Sequence, residues 1–386
     1  MKEFSLNLYL EINRSHFVFF VGQNDEQNNF NIAYKLEVPL KGIANESISD
    51  LESFFNVLKE NIYSIEQKFN YTFKELVLIL DNFDIKFINI SGFKKLNGSQ
   101  ILRENITYIL NTLKACVDEI EPKKKILHIF NSKFNLDNKK IENLPVGLFG
   151  DFYSHELSFI LINKNDYKNI KNIFDKCNLM IKKILVKSFI KGSIICNKKN
   201  ETFFQIKVCQ NTSKIIYFEN SSLKSEETFN FGSDILIKDI VKITSLKTET
   251  VKNILNKVEF KGKIQEDECI DKEFFIHETY RKIKKKLIHD IVLARIEEVS
   301  DIIYFKNINF EHYKKLSTNI FLEFEDKLTS EFLKKSFKKT FSNNGEFTTI
   351  LMNDFSSQST LKTANRIVHF GWKSEAIPIS QSKKSL

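Results

Sequence analysis

Apolar and polar positions alternate from the start of the chain, so residues 4–13 and 16–22 read as two strands joined by a turn, and residues 30–38 as a third apolar, β-branched strand. The period then changes. Leu51, Phe54, Phe55, Leu58, Ile62 and Ile65 recur at helical spacing over residues 49–67, with Ser49 as the expected N-cap and Glu52 three residues on. A buried strand at 76–80 follows, and three strands, a helix and a strand in this order suit an α/β domain whose helix covers its sheet. From 88 to about 164 the texture becomes that of an inserted subdomain: a helix at 99–120 flanked by short strands at 126–130 and 158–162. Between those strands, Asp137-Asn138 and Pro145-Val-Gly147 are turn residues, so the chain is expected to leave its strand there for a loop. A helix at 166–177, a strand at 180–186 and an apolar helix at 189–195 complete this part.

A second strand cluster at 203–208, 214–218 and 227–231 repeats the opening pattern and leads into helices at 233–243 and 248–257. A long basic helix is expected over 272–305, a strand at 320–324 and a helix at 330–341. The repeat predicts two similar α/β halves: residues 1–87 with 165–200, and 201–258 with 315–372. Residues 88–164 are the insert in the first half, 259–314 a subdomain of the second, and 373–386 a polar, basic tail.

At 386 residues the chain has length for several packed units. No apolar run reaches the roughly 20 residues that span a bilayer, and the first ten residues lack the basic start and apolar core of a secretion signal, so a cytoplasmic protein is expected. The five cysteines are scattered, with no metal-ligand spacing, and the seven histidines form no catalytic set. The net charge of +9 is spread along the chain rather than gathered into a nucleic-acid-binding stripe, so no nucleic-acid partner is expected.

The stretch from Leu127 to Gly150 fits no simple period. Its Leu127-His128, Phe134, Asp137, Ile141, Pro145, Gly147 and Gly150 resemble the signature of the inserted subdomain of FtsA, the bacterial cell-division family, with Asn131 where that family has a proline. The resemblance implies an actin-like fold of two ribonuclease H-like halves with an SHS2-type α+β insert in the first. It implies ATP as a cofactor, a metal of unspecified kind, and an adaptor that binds the C-terminal tail of FtsZ. Further implications are head-to-tail self-association, contact with other division proteins and with the inner membrane surface, and a place on its cytoplasmic face at the division site.

The family's two phosphate-binding hairpin turns fall on Glu11-Ile12-Asn13-Arg14-Ser15-His16 and Lys207-Val208-Cys209-Gln210-Asn211-Thr212. Glu11, Ser15 and Thr212 keep an acid and hydroxyls, but both turns lack the glycines that let backbone N–H groups approach a phosphate. Lys207 is a cation where a metal would need an oxygen ligand. In the third motif, Ile320 to Glu325, Phe324 and Glu325 replace paired glycines. Hydrolysis by the family mechanism is therefore not expected, and no catalytic residue is assigned. On the nucleotide side the resemblance also places Gly232, Asp239, Glu249 and Lys252. Arg295 matches a helix of the subdomain that receives the FtsZ tail, and Arg281, Lys284, Lys285 and Lys286 just upstream give that helix a cationic face. His369-Phe370-Gly371 resembles the family's closing motif, which places residues 366–371 at the end of the second half. The tail contains Pro378 and no apolar face. Two other readings remain open: an actin-fold ATPase whose phosphate site is rebuilt around Glu11, Ser15 and Thr212, and a pilus-assembly scaffold of the same fold.

Overall fold

A computed structural model describes residues 6–25, 30–81, 83–260, 264–324, 330–342 and 345–376. The chain forms two compact units, the first made of Met1–Lys199, Glu219–Lys224 and Phe355–Leu386, the second of Asn200–Phe218 and Ser225–Asp354.

In the first unit, β1 (Asn7–Ile12), β2 (His16–Asn24) and β3 (Phe30–Pro39) form an antiparallel meander. A small ribbon, β4 (Ile43–Ala44) with β5 (Ser47–Ile48), precedes α1 (Leu51–Phe69). The cap of α1 is Asp50 rather than Ser49: its carboxylate accepts hydrogen bonds from Glu52 N and Ser53 N, both at 3.1 Å, satisfying amides that have no partner within the helix. Phe54, Val57, Leu58, Ile62 and Ile65 bury one face of α1 on the sheet, where Phe54 stacks on Phe17. The strand β6 (Glu75–Leu80) then enters parallel to β1.

The insert comprises β7 (Ile85–Lys95), α2 (Arg103–Ile120), β8 (Lys124–Leu136), β9 (Lys139–Ile141) and β10 (Phe152–Asn163), with its sheet ordered β7-β10-β8-β9. Its core is the apolar face of α2 against Leu136, Tyr153, Leu157, Phe159 and Leu161. The strand expected over 126–130 runs on to Leu136. Residues 131–136 stay paired with β10 because Phe134 and Leu136 still reach this core, and the chain turns only at Asp137 and Asn138, both left-handed at φ 51° and 64°. The Asp137 carboxylate accepts from Asp151 N at 2.9 Å and Phe152 N at 2.8 Å, which fixes where β10 starts. The chain returns through α3 (Lys164–Lys176), β11 (Met180–Val186), which runs parallel to β6, and α4 (Lys187–Ile195).

The second unit runs β12 (Phe203–Val208), β13 (Ser213–Glu219), β14 (Ser222–Phe229), α5 (Asp234–Thr244), α6 (Thr248–Lys257), α7 (Lys285–Ser300), α8 (Glu311–Lys314), β15 (Asn319–Phe324), α9 (Glu331–Ser342) and β16 (Thr348–Met352). Its sheet order, β14-β13-β12-β15-β16, repeats the β3-β2-β1-β6-β11 order of the first unit strand for strand, a meander followed by two parallel additions. The expected helix over 272–305 is much shorter. Ile270 N donates to Ile283 O and Lys285 N to Glu268 O, both at 2.8 Å, so the backbone before Lys285 is spent on an extended pairing. After Ser300 the helix widens into a π-type turn over Asp301–Phe305.

The last helix, α10 (Ser357–Phe370), packs in the first unit. This corrects the placement of 366–371 in the second half. Tyr9 Oη donates to Asn365 Oδ1 at 2.9 Å, and the Gln358 amide donates to Phe30 O at 2.5 Å and accepts from Ile32 N at 3.3 Å, which satisfies backbone at the sheet's open edge. Trp372 to Ala376 then lie along β8: Asn131 N donates to Ser374 O at 2.6 Å, Ala376 N to Ile129 O at 2.8 Å, and Trp372 Nε1 to Ser221 O at 2.7 Å. Residues 377–386 of the expected tail, with Pro378, lie outside the described residues. No helix among the described residues is long and apolar enough to cross a membrane.

Candidate functional site

The first hairpin turn is built by register. Parallel pairing of Ile12 with Leu80 brings Asp81, the residue after β6, beside the end of β1, and Asp81 N donates to Ile12 O at 2.9 Å. Lys187 opens α4 directly after β11. Its Nζ lies 2.7 Å from Glu11 Oε1 and 3.0 Å from Asp81 Oδ2, with the three side chains only 15%, 12% and 22% exposed. Burial alone would lower the Lys187 pKa, but the charges of Asp81 and Glu11 outweigh it and raise the pKa, so the ammonium is fixed. The missing glycine is replaced by an asparagine turn: Asn13 N donates to His16 O at 3.1 Å, and Asn13 Oδ1 accepts from Ser15 N at 3.0 Å and His16 N at 2.7 Å. Ser15 is exposed, and its hydroxyl meets His16 Nδ1 at 2.9 Å.

In the second unit Lys207 occupies the position on β12 that Glu11 has on β1, one residue before the strand end. Its Nζ lies 3.9 Å from Glu323 Oε1 on β15, and Gln205 Nε2 donates to Glu323 Oε2 at 2.8 Å, which satisfies a carboxylate with no exposed surface. The Cys209–Thr212 turn closes through Cys209 N to Thr212 O at 2.9 Å. Ser233 N and Asp234 N donate to Cys209 O and Gln210 O, each at 2.9 Å, so the amides beside the turn are spent on it. Gly232 makes this approach possible, because a Cβ there would lie 2.1 Å from Cys209 O. Glu325 lies outside the described residues.

Neither turn fits a metal-bound triphosphate. The oxygens that would ligate a divalent ion in the first hold an ammonium, and the second presents a lysine. Asp239, expected on the nucleotide side, and Arg295, expected on the partner side, are brought together: Arg295 Nε donates to Asp239 Oδ2, and Arg295 Nη1 reaches Glu298 at 2.8 Å. Glu249 and Lys252 sit on α6, Glu249 exposed. Lys284 pairs with Asp267 at 3.1 Å, Lys285 with Glu268 at 2.5 Å and Lys286 with Glu266 at 2.7 Å, while Arg281 donates to Ser245 O. The expected cationic face thus already carries acids, of which Asp267 is 96% and Glu266 80% exposed. Further along α7, an open cleft of about 800 Å³ is lined by Phe260, His289, Leu293, Phe332, Lys335 and Lys339, among others.

Sequence reasoning assigned Glu11 but missed Asp81, Lys187 and Glu323. The available signal was position: Asp81 and Lys187 directly follow parallel strands, and sites in α/β sheets gather at such carboxyl ends.

No protein-family model matches the chain. A cell division protein FtsA of Buchnera aphidicola subsp. Baizongia pistaciae (strain Bp) is 22% identical over 233 residues, 60% of this chain and 55% of that protein, so the match spans little more than half of the relative's length. Among solved structures, a PilM-PilN type IV pilus biogenesis complex superposes with a TM-score of 0.50 at 9% identity over 95% of this chain and 96% of that one. MreB5 of Spiroplasma citri bound to ADP gives 0.45 at 9% identity over 94% and 95%. The fold is actin-like and the sequence FtsA-like.

Proposed function

We propose that the protein is a non-catalytic cell-division adaptor: an actin-fold scaffold that docks the acidic C-terminal tail of FtsZ, self-associates, and links the division ring to the inner membrane surface and to other division proteins. The likeness to FtsA carries the reading. Its non-catalytic part is supported by Glu11 and Asp81, whose charge is already answered within the protein. The purified protein is expected to release no phosphate from ATP.

For the docking face, the start of α7 is favoured. Ion pairs between exposed side chains contribute only about 0–1 kcal/mol each, so an incoming acidic peptide exchanges with Glu266 and Asp267 at small cost while gaining the neighbouring apolar wall of Leu293, Phe260 and Phe332. The deciding experiment is a titration with a fluorescent FtsZ tail peptide at low and physiological salt, using the wild type, a Lys284→Glu/Lys286→Glu variant and Arg295→Glu. Saturable wild-type binding, weakened about 10-fold or more by the double variant, is the expected result. Arg295→Glu also breaks the pair with Asp239, so its circular dichroism is compared with the wild type. A wild-type protein that binds no peptide at either salt would remove the adaptor reading and leave the pilus-scaffold alternative.

A further inference from the structure

We infer that the Lys187 ammonium is a built-in substitute for a dissociable divalent cation, so that the first unit holds its β1 and β6 ends together without any bound ion, and that removing Lys187 turns the Glu11–Asp81 pair into a cation site. The inference goes beyond the adaptor reading and does not need FtsZ binding to be true.

Geometry is the first argument. Two carboxylates at the ends of neighbouring parallel strands, Glu11 on β1 and Asp81 just past β6, converge on one positive centre at 2.7 and 3.0 Å, the convergence that an oxygen-ligated cation demands. Fixed placement is the second. The ammonium sits at the first residue of α4, a helix buried at Ser188 through Ser193 and at Ile195, so it is delivered by a packed element rather than by a mobile surface side chain. Charge is the third. A divalent ion would have to displace a tethered cation from both carboxylates. A covalently attached competitor does not dilute away, so its effective concentration at the carboxylates exceeds that of free ions.

The same geometry sets the order among metals. A site opened by truncating Lys187 inherits oxygens spaced for contacts near 3 Å. Calcium accepts flexible oxygen ligation at about 2.3–2.6 Å, whereas magnesium demands about 2.1 Å and near-ideal octahedra, so calcium is expected to bind the truncated site more tightly.

The test is thermal unfolding of the full chain with EDTA, then with millimolar calcium or magnesium chloride, for wild type, Lys187→Ala and Lys187→Met/Glu11→Gln/Asp81→Asn. Wild type is expected to melt at the same temperature in every condition. Lys187→Ala should melt lower in EDTA and recover with calcium, with calcium binding by calorimetry at least 10-fold tighter than to wild type. The neutral triple variant should not respond to either ion. If Lys187→Ala is unfolded in EDTA, folding on addition of calcium is the supporting readout, and a chain that stays unfolded or binds no ion overturns the inference. A wild type that loses stability in EDTA and regains it with either ion overturns it as well, and does so without touching the peptide titration.

Discussion

Glu11 stands one residue before the end of β1, and Lys207 stands at the same place on β12, in two sheets with the same strand order. The first unit answers its acid with an ammonium carried by the helix after the last parallel strand. The second answers its base with Glu323 on the neighbouring strand, steadied by Gln205. The turns beyond are closed by equivalent backbone bonds but braced differently: an asparagine side chain braces one, and the amides after Gly232 brace the other. A repeated backbone template therefore tolerates opposite charges at equivalent positions, provided that each unit neutralises its own. What the template does not tolerate is a buried charge left alone.

The largest expected effect breaks the second unit's solution. Lys207→Met removes the cation facing the Glu323 carboxylate, which has no exposed surface and keeps its hydrogen bond from Gln205, and should cost about 3 to 5 kcal/mol by denaturant unfolding, whereas Lys207→Met with Glu323→Met should restore most of the loss. Equal stability of the single and double variants would show that the two charges are not coupled.

Acid separates the units next. Burial holds His155 down to about 4 and also lowers His128, both in the first unit, while no described histidine of the second unit is buried. A histidine whose folded pKa lies below its unfolded value contributes stability in full above about 6.5, and that stability is lost as pH falls toward 4. For His155 the loss approaches about 3 kcal/mol at the bottom of that window. For Glu375, burial would raise the pKa, but the hydrogen bond from His128 and the charge of Lys183 outweigh it and bring it to about 2. Its contribution is therefore present above about 4.5 and fades as pH falls toward 2. Hydrogen exchange followed from pH 7 to 4 should show the first unit's protection falling before the second's. Replacing His155 with Asn should flatten the change.

The smallest effect concerns the asparagine turn. Asn13→Ala removes the acceptor for two amides and should cost about 1 kcal/mol by thermal unfolding. Asn13→Gly should recover part of this if the turn needs backbone freedom more than the side chain.

Much of the fold was legible because strands of both units are written in short apolar runs, so that residues 180–186 and 203–208 were bounded as observed, and the helical spacing of 248–257 bounded α6 in the same way. The long helix failed for a physical reason. Lys and Glu at helical spacing look alike whether they line a helix or bridge two extended segments, and the pairing of Ile283 with Ile270 is a tertiary choice. The strand past Phe130 was hidden by asparagine and lysine on its outer face. At the candidate site, Glu11 could be found from the turn, but Asp81 and Lys187 lie 70 and 176 residues further along and are joined only by sheet register. Arg295 was legible as important but not as paired, since Asp239 meets it across two helices.

The strip from Trp372 to Ala376 is stitched to β8 by backbone bonds, while the Trp372 indole holds Ser221 O and Glu375 reaches Lys183 on β11 at 2.9 Å. A pull applied beyond Ala376 would therefore load the insert's sheet before it reached α10. The strip acts as a strain relief, as a clamp does on a cable, with rupture opening the β8 edge while the helix behind it stays seated.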